Sequence, residues 1–188
     1  MLRPDYPIAT DRLLLRPLLA TDAPAMHAYK SRADVCRFLP HDVLSLEQVA
    51  ERIDTQYART SLEDEGQSLT LAVTDGASGT LLGDVILFWH SRKHRAGEVG
   101  YVFHPDHAGH GYATEAAAAM LHLGFDGLGL HRIVGRMDAR NAASARVLER
   151  LGMRREAHLV QNEFVKGEWC DEAIYALLGD EWRAGIAQ

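Results

Sequence analysis

Residues 104–116, "HPDHAGHGYATEA", set Gly109 and Gly111 one residue apart, with small Ala113 and an alanine-rich run behind them. A glycine-rich turn that opens a helix leaves several backbone N–H groups without partners, facing one point at the positive end of the helix dipole. That arrangement suits a pyrophosphate. The glycines permit backbone angles closed to other residues, and Ala113 does not obstruct a close approach. The spacing by itself equally describes a turn that only shapes the chain. Two familiar phosphate loops do not match: no Gly-Lys-Ser/Thr ending is present, and Thr114 stands where a dinucleotide fingerprint needs a third Gly or Ala.

Other residues of chemical interest lie on either side. His104, His107 and His110 recur every third residue, but Pro105 and Gly109 break any helix that would align them, so no metal site is expected. Glu115 reads as a complement to the helix dipole first and a substrate contact second. In "NAASARVLERLG", Asn141 is an N-cap candidate, Ser144 follows three residues later and Gly152 lies just past the end. Read alone, Ser144 is a first-turn serine, and Glu163 in "QNEFVKGEW" is a strand carboxylate in water or beside an arginine. Arg146 and Arg150 share one helix face. From His131 to Glu156 there are seven arginines against three acidic residues, either a solvated surface or an attractor of phosphates.

Positioning these groups requires a mixed α/β fold. "RLLLRPL" (Arg12 to Leu18) predicts a strand, followed by a helix capped by Thr21 or Asp22 and running to about Tyr29. Ser45 and Gln48 form a capping-box pattern before a helix in which Leu46, Val49, Ile53 and Tyr57 recur at helical spacing. "SLTLAVT", "LLGDVILFW" and "GEVGYVF" predict a three-strand meander. A helix then runs from Gly111 to about Phe125, stopped by Gly127 and Gly129, and "HRIVGRM" follows as a strand, the pattern of a parallel pair with a crossover. The chain closes as a hairpin turning at Lys166-Gly167, and Trp169, Tyr175 and Trp182 are expected as core or interface anchors.

Residues 1–188 are expected to form a single domain, because no linker is long or polar enough to divide them. A net charge of −6 opposes non-specific attraction to nucleic acid or an anionic membrane. "MLRPDYPIAT" lacks the apolar core of a secretion signal, and no apolar run approaches membrane-spanning length. Cys36 and Cys170 have no metal-type spacing and suit free thiols in a reducing cytoplasm.

"DHAGHG" resembles the pyrophosphate loop of the GNAT acetyltransferases, Gln/Arg-x-x-Gly-x-Gly/Ala, except that Asp106 holds the first position and Ala108 stands where an aromatic residue often precedes the first glycine. "GYVFHPDHAGHGYATEA", "NAASARVLERLGM", "NEFVKGEWCDEAIYALL" and the opening "TDRLLLRPL" look more narrowly like the RimJ/RimL-type branch. The resemblance spans nearly the whole chain. It implies a mostly antiparallel sheet with one parallel strand pair at the CoA site, and transfer of the acetyl group of acetyl-CoA directly to an amine acceptor, a protein N-terminus or a small molecule.

It also implies site residues. Tyr101, Val102 and Phe103 would supply strand contacts, with an oxyanion donor on the backbone N–H of Val102 or Phe103. Ala108, Gly109, His110, Gly111, Tyr112, Ala113 and Thr114 would hold the pyrophosphate, and Asn141, Ser144, Arg146, Val147 and Arg150 would line the rest of the cofactor. Glu163 corresponds to the proposed general base and Ser144 to the hydroxyl facing the leaving sulfur. A homodimer through the closing strands and a catalytically silent acyl-CoA sensor remain open alternatives at this level.

Overall fold

The computed structural model describes residues 1–186. In chain order it comprises β1 (Ile8–Ala9), β2 (Leu13–Pro17), α1 (Ala23–Lys30), α2 (Ala33–Cys36), α3 (Leu46–Thr55), β3 (Ser68–Asp75), β4 (Leu81–Ser91) and β5 (Ala96–Phe103), then α4 (Tyr112–His122), β6 (Arg132–Asp138), α5 (Ala142–Arg150), β7 (Arg154–Val165), β8 (Glu168–Leu178) and α6 (Gly179–Ile186). The strands form one sheet in the order β1-β2-β3-β4-β5-β6-β8-β7. Every neighbouring pair is antiparallel except β5 and β6. This is the expected mixed sheet with a single parallel pair. Among the described residues no helix is long and apolar enough to cross a membrane.

Helices cover both faces, which is why the central strands read as nearly continuous apolar runs. On one face, Ala116, Ala117, Met120 and Leu121 of α4 and Leu148 of α5 pack on Leu71, Val85, Leu87, Val99 and Ile133. On the other, Met26 and Tyr29 of α1 and Val49 and Ile53 of α3 close over Ala72.

Several local expectations need correction. The Ser45–Gln48 capping box forms, but Leu46 is exposed and Tyr57 lies beyond the end of α3. Asp22 does not cap α1. Its carboxylate turns back to accept from the Leu19 N–H at 2.8 Å and pairs with Arg16 at 2.7 Å, so the ion pair claims the oxygen that capping would need. The helix begun at Tyr112 widens into a π turn over Leu123–Gly127. Gly124 sits there because a Cβ would lie 2.5 Å from Ile133 Cδ1. Of the aromatic anchors, Tyr175 is buried and Trp182 stacks on Phe125, whereas Trp169 is exposed beside Phe164. Both cysteines are free and buried.

One buried polar cluster ties the α1 layer to the sheet. Asp84 of β4 accepts a hydrogen bond from Tyr29 Oη at 2.6 Å and lies 3.0 Å from Lys30 Nζ, with both charged residues at most 5% exposed. Burial and the Asp84 charge push the Tyr29 phenol well above its ordinary range, so it stays a donor. Removing one partner strands the other charge in an apolar setting. Lys30→Met is expected to cost about 3–5 kcal/mol in denaturant unfolding, and Lys30→Met with Asp84→Leu less than the single change. Equal stability of Lys30→Met and the parent protein contradicts this account.

Candidate functional site

Strands β5 and β6 pair at only three positions, Ala96↔Arg132, Gly97↔Ile133 and Glu98↔Val134, although β5 continues to Phe103 and β6 to Asp138. Beyond Glu98 they part. On its other edge β5 stays paired with β4, and the bond from His104 N–H to Leu82 O at 2.8 Å sets the phase of that ladder. Antiparallel bonds alternate, so the Val102 N–H goes to the Asp84 carbonyl while the Tyr101 and Phe103 N–H groups face the gap. The N–H groups open toward the gap are therefore those of Tyr101 and Phe103, whereas that of Val102, one of the two expected oxyanion donors, is bonded within the sheet.

Helix α5 lies against this gap. Leu148 rests on Gly135 of β6, where a Cβ would come within 2.6 Å of its side chain. From β5, Tyr101 Oη reaches Ser144, lying 3.0 Å from both its carbonyl oxygen and its Oγ. Burial pushes the Tyr101 phenol up to about 12. When that phenol donates to Ser144 Oγ, the serine hydroxyl hydrogen is free to point elsewhere. Asn141 caps α5 by accepting from the Ser144 N–H at 3.1 Å, which fixes the serine at the first turn.

After β5 the chain makes a short 3₁₀ turn over Pro105–His107, then passes through Gly109 and Gly111 at φ +82° and +81°. A Cβ at Gly109 would meet nothing within 4 Å, so the left-handed angle, not crowding, calls for glycine there. No side chain caps α4. The first helical bond runs from Glu115 N–H to Gly111 O, leaving the N–H groups of Tyr112, Ala113 and Thr114 without intrahelical partners.

The gap, this turn and the α5 N-terminus enclose a cleft of about 510 Å³. All the expected cofactor residues line it except His110, whose ring stacks on Tyr112 at 5.5 Å. Asp106 does not line it either. The Glu115 carboxylate belongs to neither cavity and is bonded to Thr10 and Arg12. The seven-arginine segment divides: Arg132, Arg136, Arg140 and Arg154 are held in ion pairs, Arg155 lies against the His158 ring, and Arg146 and Arg150 line the cleft with no carboxylate at ion-pair distance among the described residues. Among those residues, no three His, Cys, Asp or Glu side chains gather as metal ligands would.

Glu163 lines a second cavity of about 270 Å³ together with Glu98 of β5 and Met137 and Asp138 of β6, and Phe38 and Leu39 border both spaces. Its walls carry six carboxylates, of which Glu172 pairs with Arg136, and Asp138 and Glu168 with Arg140. A bulge brings Glu163 there, since the β7–β8 register jumps between Leu159 and Glu163 and Gln161 adopts φ +49°. Sequence reasoning missed Glu98, the last paired residue before β5 and β6 part, whose carboxylate lies 2.9 Å from His90 Nε2. A lone charge in "GEVGYVF" was its only signal. The α2 segment was missed as well, being too short for periodicity to show.

The GNAT acetyltransferase domain model matches residues 12–154. An uncharacterized N-acetyltransferase of Bacillus subtilis, YnaD, is 32% identical over 93% of this chain and 98% of its own. A spermidine N(1)-acetyltransferase of Vibrio cholerae is 30% identical over 53% of this chain and 57% of its own. Among solved structures, an acetyltransferase of the GNAT family from Bacillus anthracis superposes with a TM-score of 0.83 at 33% identity, covering 93% of this chain and 99% of that one.

The capping bond at Asn141 offers a local test of the site's construction. Asn141→Ala is expected to lower stability by about 1 kcal/mol, or about 2–4 °C in Tm, by leaving the Ser144 N–H unpaired. An unchanged thermal melt contradicts the capping role.

Proposed function

The chain belongs to the GNAT acetyltransferases, and from that premise we propose that it carries the acetyl group of acetyl-CoA to a primary amine within a ternary complex, as a cytoplasmic member of the RimJ/RimL-type branch. One observation carries this reading. The unpaired N–H edge of β5 opens on a cleft shaped for a diphosphate, and Glu98 of the same strand lines a second cavity rich in carboxylates. The cleft suits acetyl-CoA by its free N–H groups at Tyr112, Ala113 and Thr114 and by the unpaired cations Arg146 and Arg150.

Bound there, acetyl-CoA supplies a thioester and a thiol of pKa near 8.5, acidic enough to depart as thiolate. The Tyr101 or Phe103 N–H stabilises negative charge on the carbonyl oxygen. Ser144, backed by the Tyr101 phenol, donates a hydrogen bond toward the leaving sulfur. Glu163 removes the amine proton through a water, and Glu98 is a second carboxylate placed for that work. The acceptor must be neutral to attack: near neutral pH a lysine amine of pKa about 10.4 is roughly two hundredfold scarcer in that form than an α-amino group of pKa about 8.

A cavity of about 270 Å³ admits a small amine or the first residues of a peptide. Its six carboxylates outnumber the four cations on the same walls, Arg37, Arg136, Arg140 and Lys166, which favours an approaching ammonium. A polyamine and a peptide bearing a free α-amino group are accordingly the two acceptors to compare first. Edge strand β7 and its neighbour expose Val160, Phe164 and Trp169, which supports a homodimer through this edge, read out by light scattering.

Calorimetric titration with acetyl-CoA, CoA and ADP, followed by thiol release against amines and peptides, tests the proposal. Binding with acceptor-dependent release supports it, and no binding overturns it. Glu163→Gln is expected to lower kcat about 10²-fold or more and Ser144→Ala about tenfold, both with acetyl-CoA affinity nearly unchanged. If Glu98→Gln carries the loss instead, the base is Glu98. Gly109→Val is expected to weaken CoA while sparing the fold. Because the buried Tyr101 phenol keeps its proton up to about pH 12, Tyr101→Phe should lower kcat without moving any pH limb below about pH 10.

A further inference from the structure

We propose that Arg12, at the mouth of β2, is the positioning residue of the anion-binding turn and so determines the affinity of the cleft for a diphosphate; this rests on the reading of that cleft as the acetyl-CoA site. Arg12 is separated from the turn by about a hundred residues, yet it holds the turn and the helix behind it together. Its Nη1 donates to the His110 carbonyl at 2.9 Å, its Nε to Glu115 Oε2 at 2.8 Å and its backbone N–H to Glu115 Oε1 at 2.9 Å. Its Nη2 lies 2.6 Å from Glu115 Oε2, and its guanidinium carbon stands 4.8 Å over the Tyr112 ring. Thr10 Oγ1 completes the clamp by donating to Glu115 Oε1 at 2.6 Å.

Two consequences follow for the cleft. In a trans peptide the C=O and the next N–H point in opposite directions, so a His110 carbonyl held toward Arg12 turns the Gly111 N–H away from it. Gly111 lines the cleft, has no side chain of its own to restrain it, and adopts the left-handed angle. The other bonds of the turn are local ones, from Ala108 N–H to Pro105 O and between His110 Nδ1 and His107 O, and Asp106 does not line the cleft. The second consequence is electrostatic. Glu115 places a carboxylate in the first turns of α4, below the N–H groups that would receive a dianion. Arg12 neutralises that charge, and the hydrogen bonds from Thr10 and Arg12 hold Glu115 below its ordinary pKa despite an opposing desolvation by burial, so it remains ionised. Without Arg12, an uncompensated anion stands behind the diphosphate.

The side chain of Arg12 is 49% exposed, so the ion pair as such adds little to stability and the effect is expected in binding. The experiment titrates the parent protein, Arg12→Ala, Arg12→Lys and Arg12→Ala/Glu115→Gln with CoA, ADP and pantetheine. Arg12→Ala is expected to raise Kd for CoA and for ADP about tenfold or more and alike, leaving pantetheine, which lacks the diphosphate, unchanged. Arg12→Lys falls between, because a single ammonium keeps the charge but loses the fork. Adding Glu115→Gln to Arg12→Ala recovers part of the affinity. A CoA affinity within twofold of the parent in Arg12→Ala, or equal losses for CoA and pantetheine, overturns the assignment. Should Arg12→Ala fail to fold, the Arg12→Lys ratio of CoA to pantetheine affinity decides. If the parent protein binds neither CoA nor ADP, the reading of the cleft falls and the clamp with it; if only the variants are indifferent, the clamp alone falls.

Discussion

Backbone N–H groups inside a sheet are almost always bonded to a neighbouring strand, and a row of them left open is a binding surface in waiting. Here β5 and β6 share three register positions and then separate, so the upper half of β5 is bonded on one edge only. Everything else at the site is arranged around that opening. The turn after β5 delivers the N-terminus of α4 to one side. Helix α5 rests on Gly135 and receives the Tyr101 hydroxyl at Ser144, and the β7–β8 bulge carries Glu163 into the cavity that Glu98 also lines.

The opening also separates two electrostatic environments in an acidic chain. On the cleft side, positive potential comes from backbone dipoles and from Arg146 and Arg150, which the ion-pair networks leave free. On the cavity side, Glu98 and Glu163 sit among carboxylates whose partners Arg136 and Arg140 are already engaged. In the proposed reaction an anionic donor and a cationic acceptor would each meet the surface of opposite charge. Net charge says nothing of this; it emerges only once the arginines from 132 to 154 are divided into paired and unpaired.

Much was legible before the fold was known, for identifiable reasons. Gly109 and Gly111 are needed for their backbone angles, which the residue type announces. Asn141 and the Ser45–Gln48 pair are local capping signals, and each forms as read. The apolar strands follow from burial on both faces. Illegible were elements too short for a period, such as β1 and α2, and side chains whose partners are remote. Asp22 has the look of a cap and serves Arg16 instead. Glu115 has the look of a dipole complement and is instead clamped by residues at the start of β2. Trp169, a credible anchor by type, lies exposed because the β7–β8 hairpin extends there past its pairing with β6.

Sequence by itself determined the strand and helix order, the left-handed glycine turn opening α4 and, through its resemblance, the family. These are properties of residue type and near-neighbour spacing, which the chain carries wherever it goes. Tertiary structure alone decided that the Val102 N–H belongs to the sheet while Tyr101 and Phe103 face the gap, because that depends on the register of β5 against β4. It also decided that Glu98 and Glu163 share a cavity and that Arg12 meets Glu115 and His110. Such juxtapositions join residues tens of positions apart, and only the packing of strands and helices brings them within bonding distance.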